Sequence, residues 1–265
     1  MKTKSDYEVV IIGAGVIGLA IARNLAKSTS KSVLVLEKED YFGKGTSSRN
    51  SEVIHSGVYY DSNSLKAKYC LSGRELLYEY CKNNSIWYDR CGKLIIAQEY
   101  QKNDILKLYN NGINNGLNRI KLLNSKQIYD LEPNINGDIA LYVDYTGIIS
   151  VHELMHSFYN KSINNHHDYL FKTTVLGSKK ISSNYITNIK NSSGENESVS
   201  SDWVINCAGL NSDILGKKLI KSNQLHTINF SKGCYFKLSN RYRNKFRHLI
   251  YPMPDKKTDT LGIHL

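Results

Sequence analysis

An unbroken apolar run, Val9-Val10-Ile11-Ile12, leads straight into Gly13-Ala14-Gly15-Val16-Ile17-Gly18, and a second, Val33-Leu34-Val35-Leu36, ends on Glu37. Short continuous apolar runs closed by turn residues predict strands buried on both faces. The first strand turns directly into a helix over 16–27, and the second covers 33–37. A polar loop rich in small residues follows at 43–51. Helical spacing returns between Leu65 and Cys81, with Leu71, Leu76, Leu77 and Tyr80 on the apolar side. Alternation from Trp87 to Ala97 predicts a hairpin. Residues 101–116 read as a helix, and 121–131 as a short strand and helix start before the break at Glu132-Pro133. A strand pair at 140–143 and 147–150 leads to a helix at 151–163. Strands are expected at 169–175, 180–190 and 199–205, with the polar stretch 191–198 as a hairpin turn. The run Trp203 to Leu210 ends in small residues that let backbone approach a ligand. Residues 226–238 and 246–265 return to strand alternation.

These elements predict an α/β fold in which two sheets are interleaved along the chain. A nucleotide-binding sheet is built from 7–80 and 145–215, and a second, antiparallel sheet of α+β character from 85–144 and 220–265. The expected domain segments are 1–84 and 145–215 for the first, and 85–144 and 216–265 for the second. Such an arrangement predicts a ligand pocket where the two domains meet. The apolar, strand-like ending Leu261 to Leu265 calls for a pairing partner, supplied by a continuation of the chain or by another polypeptide.

The glycine run carries the first chemistry. Gly13 permits a tight turn after the strand, Gly15 leaves room for a pyrophosphate to meet backbone N–H groups at the helix start, and Gly18 lets helix and sheet approach closely. Glu37 at the end of the second strand accepts hydrogen bonds from a ribose diol. A carboxylate there repels a 2′-phosphate, which leaves FAD and NAD as the candidate cofactors.

Composition narrows the partners. The 265 residues are 41% hydrophobic and 22% charged, as in an ordinary soluble globule, and the formal net charge is +11. The densest basic cluster is Arg241, Arg243, Lys245, Arg247 and His248. It suits a small anion or an anionic lipid surface; no nucleic-acid motif accompanies it, so nucleic acid is not an expected partner. The cysteines Cys70, Cys81, Cys91, Cys207 and Cys234 have no metal-ligand spacing and are odd in number, which predicts free thiols in a reducing compartment and no metal. The first predicted strand begins within a few residues of Met1, and no window is apolar enough to span a membrane. A cytoplasmic protein is expected, with at most peripheral membrane contact.

Longer phrases add a resemblance. Ser48-Arg49-Asn50-Ser51-Glu52-Val53-Ile54-His55-Ser56-Gly57-Val58-Tyr59-Tyr60, Ser64-Leu65-Lys66-Ala67 and Cys91-Gly92-Lys93-Leu94 carry it. So do Leu131-Glu132-Pro133, Thr146-Gly147-Ile148-Ile149, Asn206-Cys207-Ala208-Gly209-Leu210, Leu249-Ile250-Tyr251-Pro252-Met253-Pro254 and Gly262-Ile263-His264. From the first strand to the last residue the chain resembles FAD-dependent oxidoreductases of the D-amino acid oxidase-like superfamily, and within it the L-2-hydroxyglutarate dehydrogenase/oxidase branch. The resemblance implies that Gly13, Gly15, Gly18, Glu37 and Lys38 hold the pyrophosphate and adenosine end of FAD. It implies that Ser47, Ser48, Arg49 and Asn50 run beneath the flavin. Val175 then meets adenine through its backbone, with Ala208 and Gly209 near the pyrophosphate. Family members continue past the position matched by Leu265 through a further glycine-rich segment that wraps the flavin.

The implied reaction oxidises a small 2-hydroxy dicarboxylate, L-2-hydroxyglutarate, to 2-oxoglutarate and passes electrons to a quinone or dioxygen. An alcohol gives up its proton poorly, so an imidazole within reach lowers the barrier. His55, flanked by Ser56 and Gly57, is the first candidate base, with a structural histidine and covalent flavin attachment as the other readings. His264 is the second, and Tyr251 is a candidate donor to a substrate carboxylate. Arg247, Lys232 and Arg49 are the cations available for the two carboxylates. Other enzymes of the same superfamily, acting on amino acids or glycerol 3-phosphate, would keep the flavin site, and a non-catalytic nucleotide-binding protein would keep only the crevice.

Overall fold

The computed structural model describes residues 4–165, 167–219, 227–242, 244–254 and 263–265. Along the chain come β1 (Tyr7–Ile12), α1 (Val16–Ser28) and β2 (Val33–Leu36), all in a first unit. A second unit takes over with β3 (Val53–Ile54), α2 (Leu65–Asn83), β4 (Tyr88–Asp89) and β5 (Lys93–Ala97). It continues through α3 (Lys102–Asn114), β6 (Ile120–Asn124), α4 (Ser125–Leu131), β7 (Ile139–Val143) and β8 (Gly147–Ile149). The chain then returns to the first unit with α5 (Val151–Ile163), β9 (Asp168–Leu170), β10 (Thr174–Ile181), β11 (Asn184–Lys190), β12 (Asn196–Asn206) and α6 (Ser212–Leu219). Strand β13 (Leu249–Pro252) belongs again to the second unit. The fold is α/β, a Rossmann-like region interleaved along the chain with a second, sheet-rich unit.

Unit 1 comprises 1–51 and 151–233. Its sheet runs β10-β11-β12-β1-β2-β9, parallel from β12 to β9 and antiparallel from β10 to β12. Val10, Ile12, Leu34 and Leu36 are buried with Ile189 and Leu215, while Val9, Ile11, Val33 and Val35 are buried on the alternate positions. That two-sided burial explains why the two runs are apolar throughout rather than alternating. Helix α1 packs against α5.

Unit 2 comprises 52–150 and 234–265. It holds a four-stranded sheet, β13-β5-β7-β6, and a three-stranded one, β3-β8-β4. The former is antiparallel except for β13 beside β5, which run parallel. The unit changes at 51/52 rather than at 84/85 because β3 pairs with β8 and α2 is tied into unit 2: Arg74 donates to the Ser56 carbonyl and Tyr78 to that of Tyr145. Likewise β8 keeps residues 145–150 in unit 2, and the last change of unit falls at 233/234.

Several expected pairings are different in the structure. Tyr88–Asp89 and Lys93–Ala97 do not form a hairpin with one another; Gly92, at φ +73°, redirects the chain so that β4 joins β8 and β5 lies between β13 and β7. The strands at 140–143 and 147–150 are also not partners, since β7 sits between β5 and β6 while β8 sits between β3 and β4. Alternation reveals which face a residue occupies, and both strands of a false pair satisfy it equally. Strand 169–175 ends early at Leu170, and β10 begins at Thr174. The described part of 226–238 has no strand, and of the described part of 246–265 only Leu249–Pro252 is one; Leu265 exchanges two backbone hydrogen bonds with Ile250. Arg243 of the basic cluster, residues 220–226 and the stretch 255–262, with Leu261 and Gly262, lie outside the described residues.

Candidate active site

In unit 1 the first parallel strand delivers Gly13 at φ +102°, where a β-carbon would overlap the carbonyl oxygen of Cys207. Gly18 is pressed against the Gly13 carbonyl, which lets α1 start directly over the strand ends. Gly15 is the N-cap of α1 and supplies no capping side chain, and the first turn holds no acidic residue. Helix α1 therefore presents a positive end to an anion. The Val16 N–H donates to Ser47 Oγ (2.9 Å), which fastens the 46–50 loop to that end. Asn50 fixes the same loop by donating to the Thr46 and Ser47 carbonyls.

Glu37 is held from both sides. Its Oε2 accepts from the Ala14 N–H at 2.7 Å and its Oε1 from the Glu39 N–H at 3.0 Å. Each carboxylate oxygen retains a second lone pair for a ribose hydroxyl. A cavity of about 700 Å³ joins these parts, bordered by Gly13, Gly15, Glu37, Lys38, Ser47, Asn50, Val175, Ala208 and Gly209. That volume suits a bound cofactor. Val175 lies where the pairing of β10 with β11 shifts register, between Val175 and Gly177.

Three cofactor candidates stand apart from this cavity. Gly18 acts through packing, as its position under Gly13 shows. Ser48 and Arg49 border a neighbouring hollow with His152 and His156, and the exposed Arg49 guanidinium donates to its own neighbour, the Ser48 carbonyl and hydroxyl. Ser48 in turn donates to the Gly45 carbonyl.

Unit 2 gathers a second constellation. Lys93 and Ile95 share one face of β5, and Leu249 and Tyr251 share the matching face of β13. Lys93 is fully buried there, and its ammonium lies 4.5 Å from the Tyr59 ring centroid and 4.6 Å from that of Tyr251. Among the described residues neither Lys93 Nζ nor Tyr59 Oη has a hydrogen-bond partner. Burial pulls the Lys93 amine down to about 7, against a small opposing effect of Cys70. His264 stacks on Tyr251, ring centroids 4.3 Å apart at 16°. Burial, then the positive charges of Lys93, Lys66 and His264, lower His55 to about 4. His55 is therefore neutral at neutral pH, with its carbonyl accepting from Cys70 Sγ. Burial raises Tyr251 to about 12 and Tyr59 further still.

Of the catalytic candidates, His55, Tyr251 and His264 thus fall in one cluster. Arg247 does not join it. Its side chain is exposed, and its backbone N–H donates to Glu132 Oε1 (2.7 Å), which also accepts from the His248 N–H and faces His248 Nδ1. Lys232 is exposed as well. Lys93 and Tyr59 are functional candidates that the sequence alone does not single out, and the lysine heading the apolar run Leu94-Ile95-Ile96 is the available signal. None of the five cysteines forms a disulfide.

The sequence profile of the family described as DAO, FAD dependent oxidoreductase, matches residues 8–265. The chain belongs to this family. Among curated relatives, L-2-hydroxyglutarate dehydrogenase of Dictyostelium discoideum is 35% identical over 98% of this chain and 61% of its own length. The mitochondrial protein of the same name from Arabidopsis thaliana is 34% identical over 99% of this chain and 60% of its own. The chain thus spans about three fifths of the length of these relatives. Among solved structures, the FAD-bound L-alpha-glycerophosphate oxidase of Mycoplasma pneumoniae superposes with a TM-score of 0.78 at 22% identity, covering 94% of this chain and 65% of that one. That likeness concerns the fold. The residues of unit 1 fit the family's cofactor: a glycine cradle closed to any side chain, a helix start whose N-cap is a glycine, and a carboxylate with spare acceptor capacity. No described helix is long and apolar enough to cross a membrane.

Proposed function

We propose that the protein oxidises L-2-hydroxyglutarate, or a closely related 2-hydroxy dicarboxylate, to the 2-oxo acid. Identity to dehydrogenases of that name along almost the whole chain carries the reading. The crevice of unit 1 would hold FAD through Gly13, Gly15 and Glu37, with Val175, Ala208 and Gly209 along its wall. When bound, FAD accepts the hydride from C2 of the substrate.

The remaining work falls to the cluster in unit 2. Loss of hydride from C2 leaves a hydroxyl whose proton must depart as the carbonyl forms. His55 Nδ1 or Nε2 takes that proton, because burial, with the charges of Lys93 and Lys66 nearby, keeps the imidazole neutral and ready. A substrate carboxylate offsets those positive charges, which raises the basicity of His55 once substrate is present. Tyr251, held protonated by burial, remains a hydrogen-bond donor across the working pH range.

The test is anaerobic reduction of the FAD-loaded protein. L-2-hydroxyglutarate is expected to bleach the flavin absorbance, while its D-enantiomer, glycerol 3-phosphate and amino acids leave it unchanged. Bleaching by glycerol 3-phosphate or an amino acid instead would replace this reading with another member chemistry of the family.

A further inference from the structure

Lys93 is the group that the fold has the least reason to bury. A lysine seldom lies fully inside a protein without a carboxylate, because the charged form loses its hydration. Here the ammonium meets two aromatic faces, Tyr59 and Tyr251, and among the described residues no acid pairs with it. The Tyr59 hydroxyl beside it is a second buried donor with no acceptor among the described residues. The titratable groups around Lys93 are Cys70 on α2, His55 and Tyr59 on the segment before it, and Tyr251 on β13, with Lys66 and His264 acting on His55. Each is a cation, a neutral donor or a weak acid. Among the described residues the cluster has donors and positive charge and no anion that satisfies both.

We infer that Lys93 and Tyr59 form an anion site that takes one carboxylate of the substrate, and that this site makes the protein selective for acids over neutral alcohols. The inference rests on the proposed oxidation only for the identity of the acid. Two observations point the same way. The rings of Tyr59 and Tyr251 hold the amine where a flexible lysine would otherwise wander, so the charge is placed before any ligand arrives. His55, His264 and Tyr59 are each only partly buried, so the approach proposed for an anion is from their side. A carboxylate entering along it accepts from Lys93 Nζ and Tyr59 Oη, two charge-assisted or neutral bonds with no competing protein acceptor. The depressed basicity of Lys93 adds a signature: carboxylate binding favours the ammonium, so the ligated lysine titrates above its ligand-free value.

Glutarate, which has both carboxylates and no hydroxyl to oxidise, separates binding from turnover. Calorimetric titration of the protein with glutarate is expected to show saturable binding that weakens as pH rises above neutrality, and glutaramide is expected not to bind. Lys93→Met should weaken glutarate binding by about tenfold or more, and Tyr59→Phe by about threefold, with FAD affinity unchanged in both. The milder Tyr59→Phe change keeps the ring over Lys93 and so guards against a fold-wide effect. Equal glutarate affinity in wild type and Lys93→Met would overturn the anion site, as would wild-type protein that reduces its flavin with L-2-hydroxyglutarate yet binds no glutarate. Lys93-dependent glutarate binding without any flavin reduction would support the anion site and overturn the proposed oxidation instead.

Discussion

Gly13 lies so close to the carbonyl oxygen of Cys207 that a β-carbon on it would overlap that atom. The two residues end neighbouring parallel strands, and the Cys207 N–H donates to the Ile12 carbonyl at 2.8 Å. With φ at +102°, Gly13 is closed to side chains both by contact and by conformation. Gly13→Ala is expected to destabilise the fold by about 2–4 kcal/mol and to abolish flavin binding, checked by thermal unfolding and by flavin fluorescence titration.

Glu37 offers a gentler probe of the same crevice. Glu37→Gln retains one carbonyl acceptor and gives up the other, together with the charge. A loss of about 1–2 kcal/mol, or roughly tenfold in FAD affinity, is the expected outcome of equilibrium titration. Unaltered affinity would remove Glu37 from the ribose site.

The strand-turn-helix core of the crevice was legible because the residues that make it, Gly13, Gly15, Gly18 and Glu37, are set by local order along the chain. Gly13, Gly15 and Glu37 border one cavity, as the order of buried run, glycines and terminal acid implied, and Ser47, Val175, Ala208 and Gly209, which only the family resemblance suggested, border it too. The second constellation was legible only in part. His55, Tyr251 and His264 were singled out one by one, but what joins them is Lys93, and its burial depends on β5 lying between β13 and β7, strands far apart in sequence. Alternation marked Lys93–Ala97 as a strand and could not name its neighbours. Arg247 failed for a related reason: a basic residue beside a recognisable block suggests a ligand, whereas its backbone is what the fold uses.

Stability should respond to pH through the two depressed bases. The folded state keeps Lys93 near 7 while the unfolded chain has it near 10.5, so the unfolded state binds the extra proton between those values. Stability is therefore expected to rise with pH across that window, and to fall as pH drops from about 6.5 to about 4, where unfolded His55 protonates first. Lys93→Met should flatten the upper window and raise Tm. Urea denaturation at a series of pH values checks both.

Glu132 explains the placement of the segment before β13. It is almost fully buried, and its Oε1 accepts from the Arg247 and His248 N–H groups. Glu132→Ala leaves those donors unpaired and is expected to cost about 2–4 kcal/mol, whereas Arg247→Ala, which keeps the backbone donor, should cost less than about 0.5 kcal/mol. Chemical denaturation of the two variants separates the cases.

Every proposed step requires the crevice of unit 1 to hold an adenine dinucleotide, which equilibrium titration of the protein with FAD measures. Saturable binding that shifts the flavin spectrum, is lost in Gly13→Ala and is competed by ADP is the expected result. Wild-type protein that remains folded and leaves the FAD spectrum and fluorescence unchanged at saturating concentration would contradict it.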